Sequence, residues 1–237
     1  MSSIILITGA SSGIGYHTAL KLAVDNNIVI AVARNKEKLD LLRAEAIKQN
    51  AASKLYPVAL DLATMNYKLL LNKLDDLAIR HLDCLINNAG LLINKPFEHL
   101  LLSDFKAMYD VNVFAPAFLI QSVLPLLEKS KSAHIINISS MGGVQGASKF
   151  VGLSGYSSGK AALIGLTECL ATELSSKNIK VNCIALGAVN TEMLSQAFPG
   201  YEAPTSAQEM AQYISWFALN GQNYFNGKII PVSVSNP

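Results

Sequence analysis

Short apolar runs alternate along this chain with longer segments in which apolar residues recur every three or four positions. Residues 4–7 (IILI), 28–33 (IVIAVA), 55–60, 84–87, 134–138, 180–184 and 228–232 read as strands. Between them, 13–24, 36–48, 64–80, 103–129, 157–176 and 206–219 carry the helical period. The strand segments are almost continuously apolar, the pattern of a parallel sheet covered on both faces. Such repetition predicts an α/β fold, a doubly wound parallel sheet of about seven strands with helices on both faces. No linker, repeat or low-complexity stretch divides the 237 residues, so one domain is expected.

The first strand runs directly into TGASSGIG, residues 8–15. Gly9, Gly13 and Gly15 let the backbone turn tightly and approach a ligand with no Cβ in the way. Ser11, Ser12 and Ile14 lie between them. The helix that follows aims free N–H groups and its positive end at whatever sits there, which suits a pyrophosphate. A bare glycine triplet also describes an ordinary strand-to-helix turn. Closing the first strand of an alternating chain, it predicts a Rossmann-type, dinucleotide-binding sheet.

The end of the second strand bears on which dinucleotide. A carboxylate there would hold ribose hydroxyls, whereas this chain has Arg34 and no acid until Glu37. A guanidinium can clamp a 2′-phosphate, which favours NADP(H) over NAD(H). The plainer reading makes Arg34 a solvated residue at a strand end. Asp61, followed by Leu62, closes the third strand and either accepts from an adenine amino group or caps the next helix. INNAG closes the fourth strand; its Asn88, Ala89 and Gly90 fall at the same carboxyl edge, where ligands of open α/β sheets bind.

Composition narrows the alternatives. The chain is 51% hydrophobic and 15% charged, which argues against disorder, and its formal charge of +2 shows no basic cluster for nucleic acid or an anionic membrane. Residues 111–127 are apolar enough to suggest a membrane span, but Asn112, Gln121, Ser122 and two prolines favour a buried core helix. Cys84, Cys169 and Cys183 form no C-x-x-C pair, and the first residues enter an apolar strand without a basic leader; a reduced, cytoplasmic protein is expected. His17, His81, His99 and His134 show no metal-ligand spacing.

Tyr156 precedes Lys160 by four residues in SGYSSGKAAL, which places both on one helical face. TGASSGIG at 8–15, NNAG at 87–90, Asn112, the serine pair 139–140 and Tyr156-x-x-x-Lys160 fall in the order of the short-chain dehydrogenase/reductase family. The chain resembles its NADP(H)-preferring members, such as 3-oxoacyl-carrier-protein reductases and small carbonyl reductases. The resemblance implies hydride transfer between the cofactor and a small carbonyl or alcohol substrate. It maps a tetrad onto Asn112, Ser140, Tyr156 and Lys160, with Ser139 in reserve for the serine. Asn112 would hold a water linking Lys160 to solvent. Gly187, Val189 and Thr191 would wrap the nicotinamide end, and the helices over 103–129 and 157–176 would form a homodimer or homotetramer face. Leu163, Leu166, Leu170 and Leu174 make an apolar stripe on the second of these helices, which either serves that face or only packs on the sheet. By the same mapping the nucleotide-binding half covers about 1–110 and the catalytic half about 111–237.

A free phenol has a pKa of about 10, and reaching neutrality requires about 4 kcal/mol of differential stabilisation. The Lys160 ammonium would act in that direction on Tyr156. Three features depart from the family. Leu186 stands where it has proline, which removes a φ restraint. The Ser140–Tyr156 interval spans 16 positions against about thirteen, reshaping one pocket wall. The end of the chain lacks Asp-Gly-Gly. The lid, about 192–204, is short, implying an open pocket or a small substrate, and no aromatic cluster marks a steroid site. Two other uses of such a site are a silent nucleotide-binding regulator and an epimerase or dehydratase.

Overall fold

The computed structural model describes residues 2–64 and 66–234. Its strands are β1 (Ile4–Thr8), β2 (Ile28–Ala33), β3 (Lys54–Ala59), β4 (Cys84–Asn87), β5 (Ala133–Ser140), β6 (Ile179–Leu186), β7 (Val189–Asn190), β8 (Thr205–Ser206) and β9 (Ile229–Val232). Its α-helices are α1 (Gly13–Val24), α2 (Lys36–Gln49), α3 (Tyr67–Asp76), α4 (Leu102–Tyr109), α5 (Ala115–Leu127), α6 (Ser154–Glu173), α7 (Glu192–Ala197) and α8 (Ala207–Asn220). Seven strands form one parallel sheet in the order β3-β2-β1-β4-β5-β6-β9. The expected Rossmann-type sheet is therefore present, and the short pair β7-β8 is an addition that two-residue segments did not advertise.

Alternation along each strand divides the core into two layers. Ile5, Ile7, Val29, Ala31, Ile136 and Ile184 face one side with α1, α2 and α8. Leu6, Ile30, Val32, Leu85, Ile135 and Val181 face the other with α3, α5 and α6. Pro57 and Pro231, which cannot donate to a ladder, lie on β3 and β9, the two edges of the sheet.

The helix expected over 103–129 is two helices joined by a π turn, Asp110–Phe114, with Asn112 buried at its centre. Such single-turn insertions are rare and cluster at functional sites. Within Leu102–Leu127 an 18-residue window has a mean hydropathy of 1.5, enough by length and composition to cross a bilayer. Its Ala115, Leu119, Ile120, Val123 and Leu127 are instead spent in the core beneath the sheet. The helix expected over 64–80 resolves into a short 3-10 turn, Leu62–Thr64, and α3, and Met65 lies outside the described residues. Helix α6 begins at Ser154, three residues before its expected start, so Tyr156 belongs to its first turn. Of the leucine stripe, Leu163 and Leu174 are buried against the sheet and Leu166 and Leu170 are half-buried.

One core residue makes stability depend on pH. His134, on β5, is buried against the Phe217 ring; its Nε2 accepts from the Asn182 amide at 3.1 Å, which leaves Nδ1 to face the Ala218 carbonyl at 3.5 Å. Burial pushes its pKa down from 6.5 to about 4. The unfolded chain therefore takes up this proton first as pH falls. The contribution is complete above about pH 6.5 and is lost between there and about pH 4, amounting to about 2–3 kcal/mol. Denaturant unfolding of wild type and His134→Gln at pH 7.5 and pH 4.5 should show a stability loss smaller by that amount in the variant.

Candidate active site

The carboxyl ends of the sheet open into a cleft of about 750 Å³. It lies where the strand order reverses at β1, the position at which open α/β sheets take ligands. One wall is the glycine turn, with Gly9, Ser11, Ser12, Gly13, Ile14 and Gly15 all facing the cleft. Gly9 and Gly13 adopt φ of +69° and +55°, a region an L side chain rarely enters. A Cβ on Gly15 would overlap the Gly9 carbonyl oxygen and the Asn88 amide. Ser12, the N-cap of α1, makes no side-chain cap bond, so the first amides of that helix are not taken up by it.

Strand β4 fastens this turn. The Asn88 side chain donates to the Thr8 carbonyl at 3.0 Å, and the Thr8 hydroxyl accepts from the Asn88 and Ala89 amides, each at 3.0 Å. Asn87 points the other way, into a buried chain: it donates to Asn137 at 2.8 Å, and Asn137 donates to Thr167 at 2.9 Å. The two asparagines of INNAG thus do different work, one bracing the turn and one tying β4 to β5 and α6. Ala89 and Gly90 face the cleft beside them.

At the far end, Arg34, Asp61 and Leu62 also border the cleft. Arg34 is exposed, immediately after β2. Lys38, one turn into α2, joins it there and reaches across to Glu192 of α7 at 3.3 Å. The Asp61 carboxylate accepts from the Ala63 amide at 3.0 Å, so the capping use of this residue is realised, with its side chain still at the cleft.

Tyr156, Lys160 and Ser140 meet at the floor. The Lys160 ammonium lies 5.7 Å from the centre of the Tyr156 ring and donates to the Ile138 carbonyl at 2.8 Å. Ser139 does not share Ser140's position: its hydroxyl is buried and donates to the Lys160 carbonyl at 2.9 Å. Ser140 accepts from the Gly142 amide at 3.2 Å and hydrogen-bonds Tyr156. Burial pushes Tyr156 up to about 12, partly offset by that bond, although the residue keeps some exposure to the cleft. Burial brings Lys160 down to about 8, with the nearby Cys183 opposing. The sequence led us to expect a lowered phenol. In the protein alone desolvation outweighs the ammonium, which lies over the ring face and spends a bond on a backbone carbonyl.

Asn112 does not border the cleft. Its side chain closes a two-way bridge with Leu91, accepting from the Leu91 amide at 3.0 Å and donating to its carbonyl at 2.8 Å. Its oxygen would lie 3.3 Å from a Cβ on Gly90, so it sits directly behind the cleft wall. Gly187, Val189 and Thr191 face the cleft from the opposite side. Leu186, in place of the family's proline, is buried and paired on both sides, to Ser140 and Val232. That pairing restrains the backbone where the proline ring would have. The last three residues of the unusual chain end, 235–237, lie outside the described residues.

The sequence profile described as short chain dehydrogenase matches residues 3–202. The chain belongs to the short-chain dehydrogenase/reductase family. It is 32% identical to the 3-oxoacyl-[acyl-carrier-protein] reductase FabG of Thermotoga maritima, over 97% of this chain and 95% of that one. It is 31% identical to Oxidoreductase BOA17 of Botryotinia fuckeliana, over 100% and 83% of the two chains. A crystal structure of an Escherichia coli CFT073 short chain dehydrogenase complexed with NADPH superposes with a TM-score of 0.87 at 29% identity, covering 97% of this chain and 95% of that one. The protein is thus an oxidoreductase of this family.

Sequence reasoning missed part of the cleft wall. Phe150, Leu153, Met193, Phe198 and Tyr201 border it from the loop before α6 and from the lid. They come from separate segments with no periodic pattern, so only the fold assembles them.

The glycine turn gives a direct test. Gly15→Ala forces the Gly9 carbonyl or the Asn88 side chain to move, at a cost of about 1–3 kcal/mol. Thermal unfolding should show Tm lowered by several degrees, and dinucleotide titration should show binding weakened further than stability alone explains.

Proposed function

We propose that this protein is an NADP(H)-dependent oxidoreductase of one domain that interconverts a carbonyl compound and its alcohol. The observation that carries the reading is the meeting of Tyr156, Ser140 and Lys160 on the floor of a cleft whose other wall is a Cβ-free turn at a helix N-terminus. That turn suits a pyrophosphate: positive-φ glycines and free first-turn amides are what a close anionic ligand requires. A nicotinamide dinucleotide held there supplies or accepts the hydride. Residues 9–15, Asp61, Leu62 and 88–90 would hold its adenosine and phosphates, and Gly187, Val189 and Thr191 its nicotinamide end. Arg34 and Lys38 put two cations where a 2′-phosphate would lie, which supports NADP(H) over NAD(H).

In the reducing direction Ser140 donates a hydrogen bond to the carbonyl oxygen and Tyr156 delivers its proton as negative charge gathers there. The raised pKa of Tyr156 keeps that proton in place at neutral pH. The Lys160 ammonium then stabilises the phenolate left behind, and a water beside Asn112 would pass a proton back toward it. The exposed Phe114 of the π turn and Phe118 of α5 suit this helical stretch to a homodimer or homotetramer face. Buried Cys84 and Cys183 suit a reducing, cytoplasmic setting.

Three measurements test this. With NADPH and a panel of ketones and aldehydes, Tyr156→Phe should lose about 10²–10⁴ in kcat/KM; full activity in that variant would sink the mechanism. Reduction should be level below about pH 8 and fall above it, because Lys160, lowered to about 8, loses its charge there while Tyr156, raised to about 12, stays protonated. Replacing Arg34 with Ala should lower the preference for NADPH over NADH by about tenfold, the worth of one charge-assisted bond; an unchanged ratio would remove Arg34 from phosphate binding.

A further inference from the structure

The substrate end of the cleft is chemically one-sided. Beyond Ser140 and Tyr156 it is bounded by Leu92, Phe150, Leu153, Met193, Phe198 and Tyr201. Phe150, Met193 and Tyr201 are 45%, 37% and 50% exposed, so their apolar surfaces have no adequate protein cover. The charged residues bordering the cleft are elsewhere or engaged. Arg34 and Asp61 lie at the far end, Lys38 and Glu192 pair with each other, and the Lys160 ammonium is bound to the Ile138 carbonyl. Two cations lie near this end without bordering the cleft: Lys149, which donates to the Val144 carbonyl at 2.6 Å, and Lys95, which pairs with Asp104 at 2.8 Å.

The wall is also held in place. The Asn94 side-chain amide donates to the Ala197 carbonyl at 2.8 Å, joining the segment after β4 to the end of α7. The Lys95 backbone amide donates to the Gly152 carbonyl at 2.9 Å, joining the same segment to the long loop before α6. Asn190 bonds both backbone groups of Ala203, at 2.7 and 2.9 Å, pinning the lid's far end. The apolar side chains therefore border a cleft whose segments are joined by hydrogen bonds to the main chain at Ala197, Gly152 and Ala203.

We propose that the substrate is an uncharged ketone or aldehyde bearing a bulky apolar group, alicyclic or aromatic, seated against Phe150, Phe198 and Tyr201. This rests on the carbonyl–alcohol reading above. In the step, the carbonyl carbon gains a C–H bond from the hydride of NADPH, the π pair moves to oxygen, and oxygen takes the Tyr156 proton; NADPH is oxidised to NADP⁺. A ketose would lose water from several hydroxyls against a wall made mainly of apolar side chains, where Gln196 and the Tyr201 hydroxyl are among the few polar groups. A 2-oxo acid would bring a carboxylate to a wall with no uncommitted cation among the described residues.

The experiment measures kcat/KM with NADPH for acetone, cyclohexanone, acetophenone, fructose and pyruvate. Cyclohexanone and acetophenone are expected to exceed fructose and pyruvate by about tenfold or more. Phe150→Ala and Tyr201→Ala should each narrow the acetophenone-to-acetone ratio by about fivefold or more. Val151→Ser, at a 90% exposed neighbour outside the cleft wall, should keep that ratio. Fructose or pyruvate turned over as well as the apolar ketones, or a ratio unmoved by both cleft variants, overturns the proposal while leaving a carbonyl reductase. NADPH binding without turnover of any carbonyl overturns both readings.

Discussion

A buried ammonium must have a partner, and much of this molecule is arranged around the one on Lys160. Taking such a charge out of water without compensation is prohibitive. Strand β5 supplies a partner and a tether: the Ile138 carbonyl accepts from the ammonium, and the next residue, Ser139, donates to the Lys160 carbonyl and so fixes its main chain. One strand thus holds both ends of one residue. The third, Ser140, then emerges at the cleft beside Tyr156. Three consecutive residues of a strand thus hold the Lys160 side chain, hold its backbone and bring Ser140 to the cleft.

The grip passes into the core through polar groups. Asn137, preceding Ile138, joins Asn87 of β4 to Thr167 of α6, and Thr167 in turn donates to the Leu163 carbonyl. A buried amide left half-satisfied would cost more than an apolar residue in its place. The chain is closed at each link, so β4, β5 and α6 are held in register. Asn88, next along β4, braces the glycine turn from the same strand end. The two walls of the cleft are consequently tied by hydrogen bonds to two adjacent residues, Asn87 and Asn88, at the end of one strand.

How much of this could be read beforehand follows from the range over which each feature is encoded. The strands and most helices were legible because apolar periodicity is local, and β2 and β4 have their expected limits, 28–33 and 84–87. Gly9, Gly13, Gly15 and the Tyr156–Lys160 pair were legible because their spacing states their geometry. The π turn at Asp110–Phe114 was not, since one inserted residue leaves the apolar pattern almost intact. The division of labour between Ser139 and Ser140 depends on which face of β5 meets α6, a tertiary fact. The aromatic wall depends on two distant segments meeting, and no local pattern joins Phe150 to Phe198 and Tyr201.

The raised pKa of Tyr156 has a consequence for direction. A phenol near 12 is a secure proton donor at neutral pH and a poor base. Running the chemistry toward the carbonyl needs the phenolate, hence stabilisation that the protein alone does not supply. Lys160 offers a full positive charge only below about pH 8. Alkaline conditions, which favour ionising the phenol, therefore discharge the group that would stabilise it. The two shifts oppose each other in the oxidising direction and agree in the reducing one, where a protonated tyrosine and a charged lysine coexist across neutral pH. Under the proposed mechanism the two shifts leave a protonated Tyr156 beside a charged Lys160 across neutral pH, the state in which a carbonyl oxygen would take its proton from the phenol.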